Sequence, residues 1–344
     1  MIENAGFQNR QYWRGFDFAK GILIIIVFLG HVIPGVLRET YPRYLIYSFH
    51  MPLFIGISGF LLNIEKLDTR VMSVFKKYWK RMICPWLIAV TVFFIAQAFI
   101  GKQTISVKSF LHTYFVPYYH LWYVLGFLSY LVISCVLWSI FKNNQYKWVW
   151  IFIVSAIISF VSKWELPGGR LGDGVFNKIY EIAHYDFRIY NLLFFMIGIY
   201  LRYKFEHRGF IYSSNKMEYI RVLSIISVIC VSVLFFFNYD NIEKMMFFIM
   251  NSSLVTVLIY DCVNQKIPES KIIEFIGSYS LPIYLYHVMC KLIAIYLCSE
   301  GTPGYYVISV ASLIIGCILV YYLRHVSVIN TVLFGSTTST LKSE

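Results

Sequence analysis

Residues 17–31 read Asp-Phe-Ala-Lys-Gly-Ile-Leu-Ile-Ile-Ile-Val-Phe-Leu-Gly-His, an apolar run with two charged residues near one end and a histidine at the other. With the apolar residues up to 37, the run has the roughly 20 residues that one helical membrane crossing requires. A charged side chain inside such a crossing costs at least ~2.5 kcal/mol, so each one needs a partner or a function. We therefore predict a membrane-spanning helix over residues 19–37 with a polar face.

The whole chain shares this apolar character. Of its 344 residues, 58% are hydrophobic and 14% are charged, and the mean hydropathy is +0.64. Soluble domains have roughly 45–50% apolar and about 25% charged residues, so this chain has too few charges to cover a water-facing surface. The composition excludes a soluble globular enzyme. Because no internal repeat or low-complexity linker divides the sequence, we expect a single integral membrane domain over residues 1–344.

Further apolar runs predict an all-α polytopic membrane protein of about ten transmembrane helices. The predicted spans are 19–37, 44–63, 83–101, 120–141, 147–162, 188–202, 219–237, 244–260, 279–298 and 305–324. When alternate loops are assigned to opposite sides, one side carries 19 Lys and Arg residues and the other carries 9. Since the cytoplasmic side carries the excess, both termini are predicted to be cytoplasmic. This topology accounts for the net charge of +12, so we expect no nucleic-acid partner.

Polar side chains recur along one face of the first predicted span. At 100° per residue, Lys20 and His31 point within about 20° of each other and lie roughly 16 Å apart along the helix axis. Asp17 and Arg38 extend the same stripe at its two ends, which predicts that it faces a protein cavity. His31 is the best candidate for chemistry because an imidazole exchanges protons near neutral pH. A histidine that only hydrogen-bonds between helices remains the alternative.

Two further segments place polar residues near the predicted outer boundary. His50 lies in the second span at about the depth of His31, so the two imidazoles are expected to meet. His120 and Trp122 begin the fourth span, where they could bind a substrate or, in the case of the tryptophan, simply anchor the helix at the interface.

The inner loop before the third span is basic and contains Lys77, Lys80 and Arg81. These residues could hold a phosphate-bearing ligand, or they could serve only as topology signals. His287, at mid-depth in the ninth span, is expected to have a packing role. Because the histidines are scattered without ligand spacing, we expect no metal.

The motifs stand in a fixed order: 17–21 with 30–31, 49–54 with 57–61, 80–85, 120–122 and 280–287. Over residues 14 to about 324 this set resembles the acyltransferase 3 family of integral membrane acyltransferases, and most closely its fucose 4-O-acetylase-like subgroup. Lys20 and His31 match the family hallmark, a basic residue followed after ten intervening residues by histidine. The resemblance implies ten membrane helices, acetyl-CoA or a related thioester as acyl donor, and a hydroxyl of a surface glycan or its lipid-linked precursor as acceptor.

The residues and the resemblance together predict an O-acyltransferase in a bacterial inner (cytoplasmic) membrane, in contact with membrane lipid. We expect His31 to act as the general base, with Asp17 and Lys20 ion-paired beneath it. The other expected roles are donor binding by Lys77, Lys80 and Arg81, and acceptor binding by His50, His120, Trp122 and Arg38. A covalent acyl-histidine is a variant of this mechanism. The rival hypotheses are a transporter or flippase for a lipid-linked glycan and a non-catalytic sensor or scaffold, and a homo-oligomer remains open.

Overall fold

The computed structural model describes residues 14–65, 71–100, 105–118, 120–164, 180–208, 214–237 and 239–335. Within these ranges the regular structure is helical, without strands. The helices are α1 (Arg14–Val32), α2 (Tyr41–Phe60), α3 (Val71–Tyr78), α4 (Cys84–Phe99), α5 (Val107–Phe115), α6 (Trp122–Phe141), α7 (Lys147–Lys163), α8 (Leu192–Arg208), α9 (Ser214–Leu234), α10 (Asp240–Val263), α11 (Lys271–Ser278), α12 (Ser280–Leu297), α13 (Pro303–Leu323) and α14 (Ser327–Val332). Two π-helical turns, Trp79–Ile83 and Ile182–Asp186, and a 3₁₀ turn, Ile189–Asn191, complete the set.

Seven helical stretches in the described ranges are long and apolar enough to cross a membrane. They are Arg14–Val32, Phe75–Phe99, Trp122–Phe141, Asn215–Leu234, Asp240–Val263, Ser280–Leu297 and Pro303–Leu323. The chain is therefore an all-α, multi-pass membrane protein. Three more predicted spans correspond to α2, α7 and α8, which are not among the seven. The total of about ten spans and the side of the termini stay predictions.

Close backbone contacts hold α1 and α2 in place. A Cβ atom on Gly277 of α11 would lie 1.7 Å from the carbonyl oxygen of Asp17 in α1. A Cβ atom on Gly198 of α8 would lie 2.1 Å from the carbonyl oxygen of Gly56 in α2. Only glycine permits such an approach, as is common where membrane helices pack without side chains between them. These contacts fix the two helices that carry the polar motifs.

The first helix ends earlier than the sequence predicts, at Val32 instead of residue 37. Pro34 explains the difference, because proline disfavours a helical conformation at the preceding residue and has no N–H to continue the ladder. His31 consequently lies in the last turn of α1. Arg38 lies in the loop beyond the helix, so the prediction that it extends the polar stripe of the first span is wrong.

Candidate active site

Three of the predicted site histidines and a fourth histidine form a buried group inside the helix bundle. We call His31, His50, His120 and His287 the histidine cluster; their exposed fractions are 2–8%. The ring centre of His287 lies 4.9 Å from that of His31 and 5.8 Å from that of His120. The sequence predicts only a packing role for His287, whereas the structure places its ring beside those of His31 and His120. Within the described ranges, no three His, Cys, Asp or Glu side chains are placed to share a metal ion.

Tyr47 connects the two histidines that were expected to meet. Its hydroxyl oxygen lies 3.1 Å from Nδ1 of His31, and its ring centre lies 5.1 Å from that of His50. Because Tyr47 and His50 are three residues apart on α2, both side chains lie on the same helix face. Tyr47 is not among the predicted site residues, although its spacing from His50 is visible in the sequence.

Backbone carbonyls fix the proton positions on two imidazoles of the cluster. Nδ1 of His50 lies 2.6 Å from the carbonyl oxygen of Ile46, and Nδ1 of His287 lies 2.6 Å from that of Tyr284. A carbonyl oxygen can only accept, so Nδ1 is the donor in both rings and Nε2 of the neutral ring keeps its lone pair. Nε2 of His287 is buried without a hydrogen-bond partner among the described residues. It is therefore available as a proton acceptor beside His31.

The other end of α1 carries the expected ion pair. Nζ of Lys20 lies 2.6 Å from Oδ1 of Asp17, and the Asp17 residue is only 6% exposed. The eleven-residue separation of Lys20 from His31 corresponds to roughly 16 Å along the helix. One helix thus presents a charged pair at one level of the membrane and an imidazole at another.

The predicted basic loop is helical where the structure describes it. Lys77 lies in α3, and Lys80 and Arg81 lie in the π turn that leads into α4; all three side chains are exposed. Beside them, the buried ring of Tyr78 packs against Phe127 of α6 at a centroid distance of 5.2 Å. The packing anchors the segment, and its cations lie on the exposed side.

Hydroxyl groups connect this basic segment towards the histidine cluster. The hydroxyls of Ser58 and Tyr123 lie 2.7 Å apart, and Tyr123 is within electrostatic reach of Arg81. The ring of Tyr123 lies 5.3 Å from that of Tyr284, whose hydroxyl donates to the carbonyl of His120. These tyrosines are not among the predicted site residues, because tyrosine is common in this sequence. The spacing of Tyr284 from His287, three residues along one helix, is the sequence signal that points to it.

Trp122 and Arg38, both predicted to bind substrate, lie in different surroundings. The guanidinium carbon of Arg188 lies 4.4 Å from the ring centre of Trp122, and both residues line a cavity of about 300 Å³. Arg38 instead forms ion pairs with Glu243 and, at 3.9 Å, with Asp240 at the start of α10. Arg38 therefore lies at a separate ion-pair site. Trp122 instead contacts Arg188, which is not among the predicted site residues.

The fold and the histidine cluster define a multi-pass membrane protein with a buried polar site. Comparison with known proteins shows the family to which it belongs. The acyltransferase 3 family, whose model is described as an acyltransferase domain, matches residues 13–322, and the chain belongs to this family. The resemblance noted in the sequence is thereby confirmed at the level of the family.

Two curated relatives share the name nodulation protein NolL. The relative from Sinorhizobium fredii is 32% identical over 166 residues, an alignment that covers 45% of this chain and 43% of that protein. The relative from Mesorhizobium japonicum is 44% identical over 64 residues, or 17% of each chain. The chain thus spans less than half the length of these relatives. No solved structure matches the chain.

Proposed function

We propose that the protein is a membrane O-acyltransferase that moves an acetyl or similar acyl group from acetyl-CoA to a hydroxyl of a surface polysaccharide or its lipid-linked precursor. In this proposal it lies in a bacterial cytoplasmic membrane with about ten spans and both termini inside, and belongs to the fucose 4-O-acetylase-like subgroup. Family membership supports acyl transfer. The histidine cluster is the observation that carries the proposal, because it supplies buried proton acceptors where an acceptor hydroxyl could be activated.

His31 is the general base in this mechanism. The acceptor oxygen attacks the thioester carbonyl, its proton passes to His31, the C–S bond breaks, and the departing thiolate takes up the proton to leave as the CoA thiol. The contact of His31 Nδ1 with the Tyr47 hydroxyl supports this role. When Nδ1 donates its proton to Tyr47, Nε2 holds the lone pair that the base requires. Tyr47 is a positioning residue that orients the ring.

His287 assists His31. The His287 ring neighbours His31, and its Nε2 carries a lone pair. This lone pair stabilises the imidazolium that forms when His31 takes up a proton. The carbonyl of Tyr284 keeps that nitrogen unprotonated by holding the proton on Nδ1. This arrangement resembles other acyl-transfer sites in that a base is supported by a third group.

The acyl donor binds from the basic side. Lys77, Lys80 and Arg81 are exposed cations suited to phosphate groups, and Lys20 lies on the helix that leads to His31. In this proposal, the hydrogen-bonded hydroxyls of Ser58 and Tyr123 lie between these cations and the histidine cluster. The roughly 16 Å between Lys20 and His31 suits a donor that is long and thin, with its charges at one end and its thioester at the other.

The test is an acyl-transfer assay on the purified protein in lipid nanodiscs with acetyl-CoA and a glycan acceptor. We expect thiol release that depends on the acceptor, and acetylated product by mass spectrometry. His31→Gln should abolish both, whereas His207→Gln, an exposed histidine on α8, should not. Glycan movement across vesicles without acetylation would instead indicate a transporter or flippase. Equal activity of His31→Gln and the wild type would overturn the assigned base.

A further inference from the structure

The cavity beside the start of α6 has the size and walls of a small-molecule site. Its volume is about 300 Å³, and it is lined by Pro117, Trp122, Tyr185, Asp186 and Arg188. Small-molecule sites have volumes of roughly 300–1,000 Å³, so this one is large enough for a single sugar-sized ring. We call it the Arg188 cavity.

The backbone at Arg188 is held in an unusual conformation. Its φ of 47° and ψ of 49° lie in the left-handed region, which residues other than glycine seldom adopt. The fully buried hydroxyl of Tyr130 lies 3.0 Å from the carbonyl of Phe187 and 2.9 Å from that of Arg188, where it donates a shared hydrogen bond. Backbone strain persists only where its surroundings hold it, and it is concentrated at binding and active sites. Tyr130 therefore holds the backbone from which the Arg188 side chain extends.

The Arg188 side chain connects the cavity with the histidine cluster. Its guanidinium stacks on Trp122, which preorganises the planar group. The positive charge is also within electrostatic reach of His50 and of Tyr47. Trp122, which lines the cavity, lies two residues after His120, so a molecule bound in the Arg188 cavity lies beside the segment that carries one histidine of the cluster.

The walls of the cavity identify the chemistry of its ligand. Arg188 offers several N–H donors and Asp186 offers carboxylate acceptors, yet the two do not form an ion pair with each other among the described contacts. The Arg188 side chain already hydrogen-bonds Tyr190, but an apolar ligand would bury the Asp186 carboxylate without a partner, and an anionic ligand would be repelled by it. Neighbouring hydroxyls of a sugar both donate and accept, and the C–H face of a sugar ring packs on an aromatic ring such as Tyr185.

We propose that the Arg188 cavity is the acceptor site of this protein and that it takes an uncharged sugar ring, with neighbouring hydroxyls bound by Arg188 and Asp186. The proposal rests on the acyltransferase function proposed above. It names the kind of sugar that the enzyme acylates, and it adds two specificity-determining residues from the connection before α8.

The experiment compares acceptors and variants with the full chain in nanodiscs. Neutral methyl hexopyranosides serve as probes, with methyl glucuronopyranoside as the charged match, and acetyl-CoA is the donor. We expect Arg188→Gln to raise the acceptor KM by about ten- to a hundredfold, the loss of a hydrogen bond to a charged group, with little change in the KM for acetyl-CoA. Asp186→Asn should act in the same direction. Arg188→Lys should rescue only part of the loss because lysine lacks the planar fork.

A matched control exists at the opposite end of α6. Lys147 stacks over Trp138, with its Nζ 4.9 Å from the ring centre, so Lys147→Gln removes an equivalent cation–aromatic contact. This variant should keep the acceptor KM of the wild type. If Arg188→Gln does not fold, Asp186→Asn decides the question, since Asp186 lies outside the strained position.

Each result has one interpretation. An acceptor KM within twofold of the wild type in both variants would overturn the acceptor site while the transferase function stands. Preference for the glucuronopyranoside would overturn the uncharged class of ligand. Failure of the wild-type protein to acetylate any glycoside or glycan would contradict the acyltransferase function itself, and it would be seen before any variant is made.

Discussion

The hydroxyl of Tyr47 in α2 lies 3.1 Å from Nδ1 of His31 in α1, so the proposed base is held by a side chain from the neighbouring helix. His31 occupies the last turn of its helix, where the chain turns away before Pro34. A ring at a helix end gains orientation from such a partner, because a hydrogen bond to one nitrogen selects the proton position on the other.

Tyr47→Phe should lower kcat by roughly threefold to tenfold, which corresponds to the net value of one hydrogen bond. The KM for acetyl-CoA should change little because Tyr47 contacts histidines and not the basic segment. The pH profile of kcat should also shift, which a purely structural role would not cause. Tyr219→Phe, an exposed tyrosine on α9, is the control. An unaltered pH profile in Tyr47→Phe would argue against a positioning role.

The histidine variants should lose catalytic activity to different degrees. His31→Gln should lose about 10²- to 10⁴-fold in kcat, the usual value of general-base catalysis. His50→Gln should be strongly impaired and His287→Gln less so, because the latter only stabilises the imidazolium. Rates are compared at equal amounts of folded protein, measured by size-exclusion chromatography in detergent. An inactive His287→Gln beside an active His31→Gln would assign the base to His287 instead.

The double variant of Lys80→Gln and Arg81→Gln should raise the KM for acetyl-CoA and leave the acceptor KM nearly unchanged. Because these cations are exposed, salt should screen their attraction, and the wild-type KM should rise between low and physiological ionic strength. Lys76→Gln changes a neighbouring exposed cation of α3 that has no assigned role. Identical donor KM values in the double variant and the wild type would leave these residues as topology signals.

Glu274→Gln should lower the thermal stability at neutral pH. The hydrogen bond from Arg14, together with that from the Ser270 backbone, lowers the pKa of the Glu274 carboxyl below its ordinary value. A depressed carboxyl pKa stabilises the fold above the pKa of the unfolded chain, and this contribution is lost as the pH falls through the folded value.

The difference in Tm between this variant and the wild type should therefore shrink as the pH falls below about 4. Glu218→Gln, at an exposed glutamate of α9, provides the reference. A Tm difference that is the same at neutral and acid pH would show that the carboxylate charge is not its source.

Topology is tested with reporter fusions after Glu39 and after Asn144. Glu39 lies in the loop after α1, on the predicted outer side, and Asn144 lies between α6 and α7, on the predicted inner side. An alkaline phosphatase reporter should be active only at the first position, and a cytoplasmic fluorescent reporter only at the second. Reports from the same side at both positions would invalidate the assignment of spans.

The sequence was informative wherever helical spacing alone decides the geometry. The separation of Asp17 and Lys20 predicts their ion pair, and the structure has it. Arg38 was misplaced because the predicted span ran to residue 37, five residues beyond Val32, whereas Pro34 ends the helix. His287 was assigned to packing because depth alone does not show which neighbour a side chain meets.

The sequence carries only a weak signal, or none, for Tyr47, Tyr284 and Arg188, and the physical reasons differ. Two are tyrosines in a chain that contains 28, so residue type alone carries little information. Arg188 belongs to the connection before α8, and its importance comes from a backbone conformation and from contacts with α6 that no local pattern encodes.

The glycine contact between α11 and α1 bears on how the molecule moves. With Gly277 against the Asp17 backbone and Gly198 against the Gly56 backbone, α1 and α2, which carry His31 and His50, have little room to slide or tilt past these neighbours. An alternating-access transporter exposes one binding site to each side of the membrane in turn, and this requires helices to rock against their neighbours. The two contacts favour a fixed arrangement of α1 and α2 during the proposed acyl transfer, in which the donor thioester moves and the helices do not.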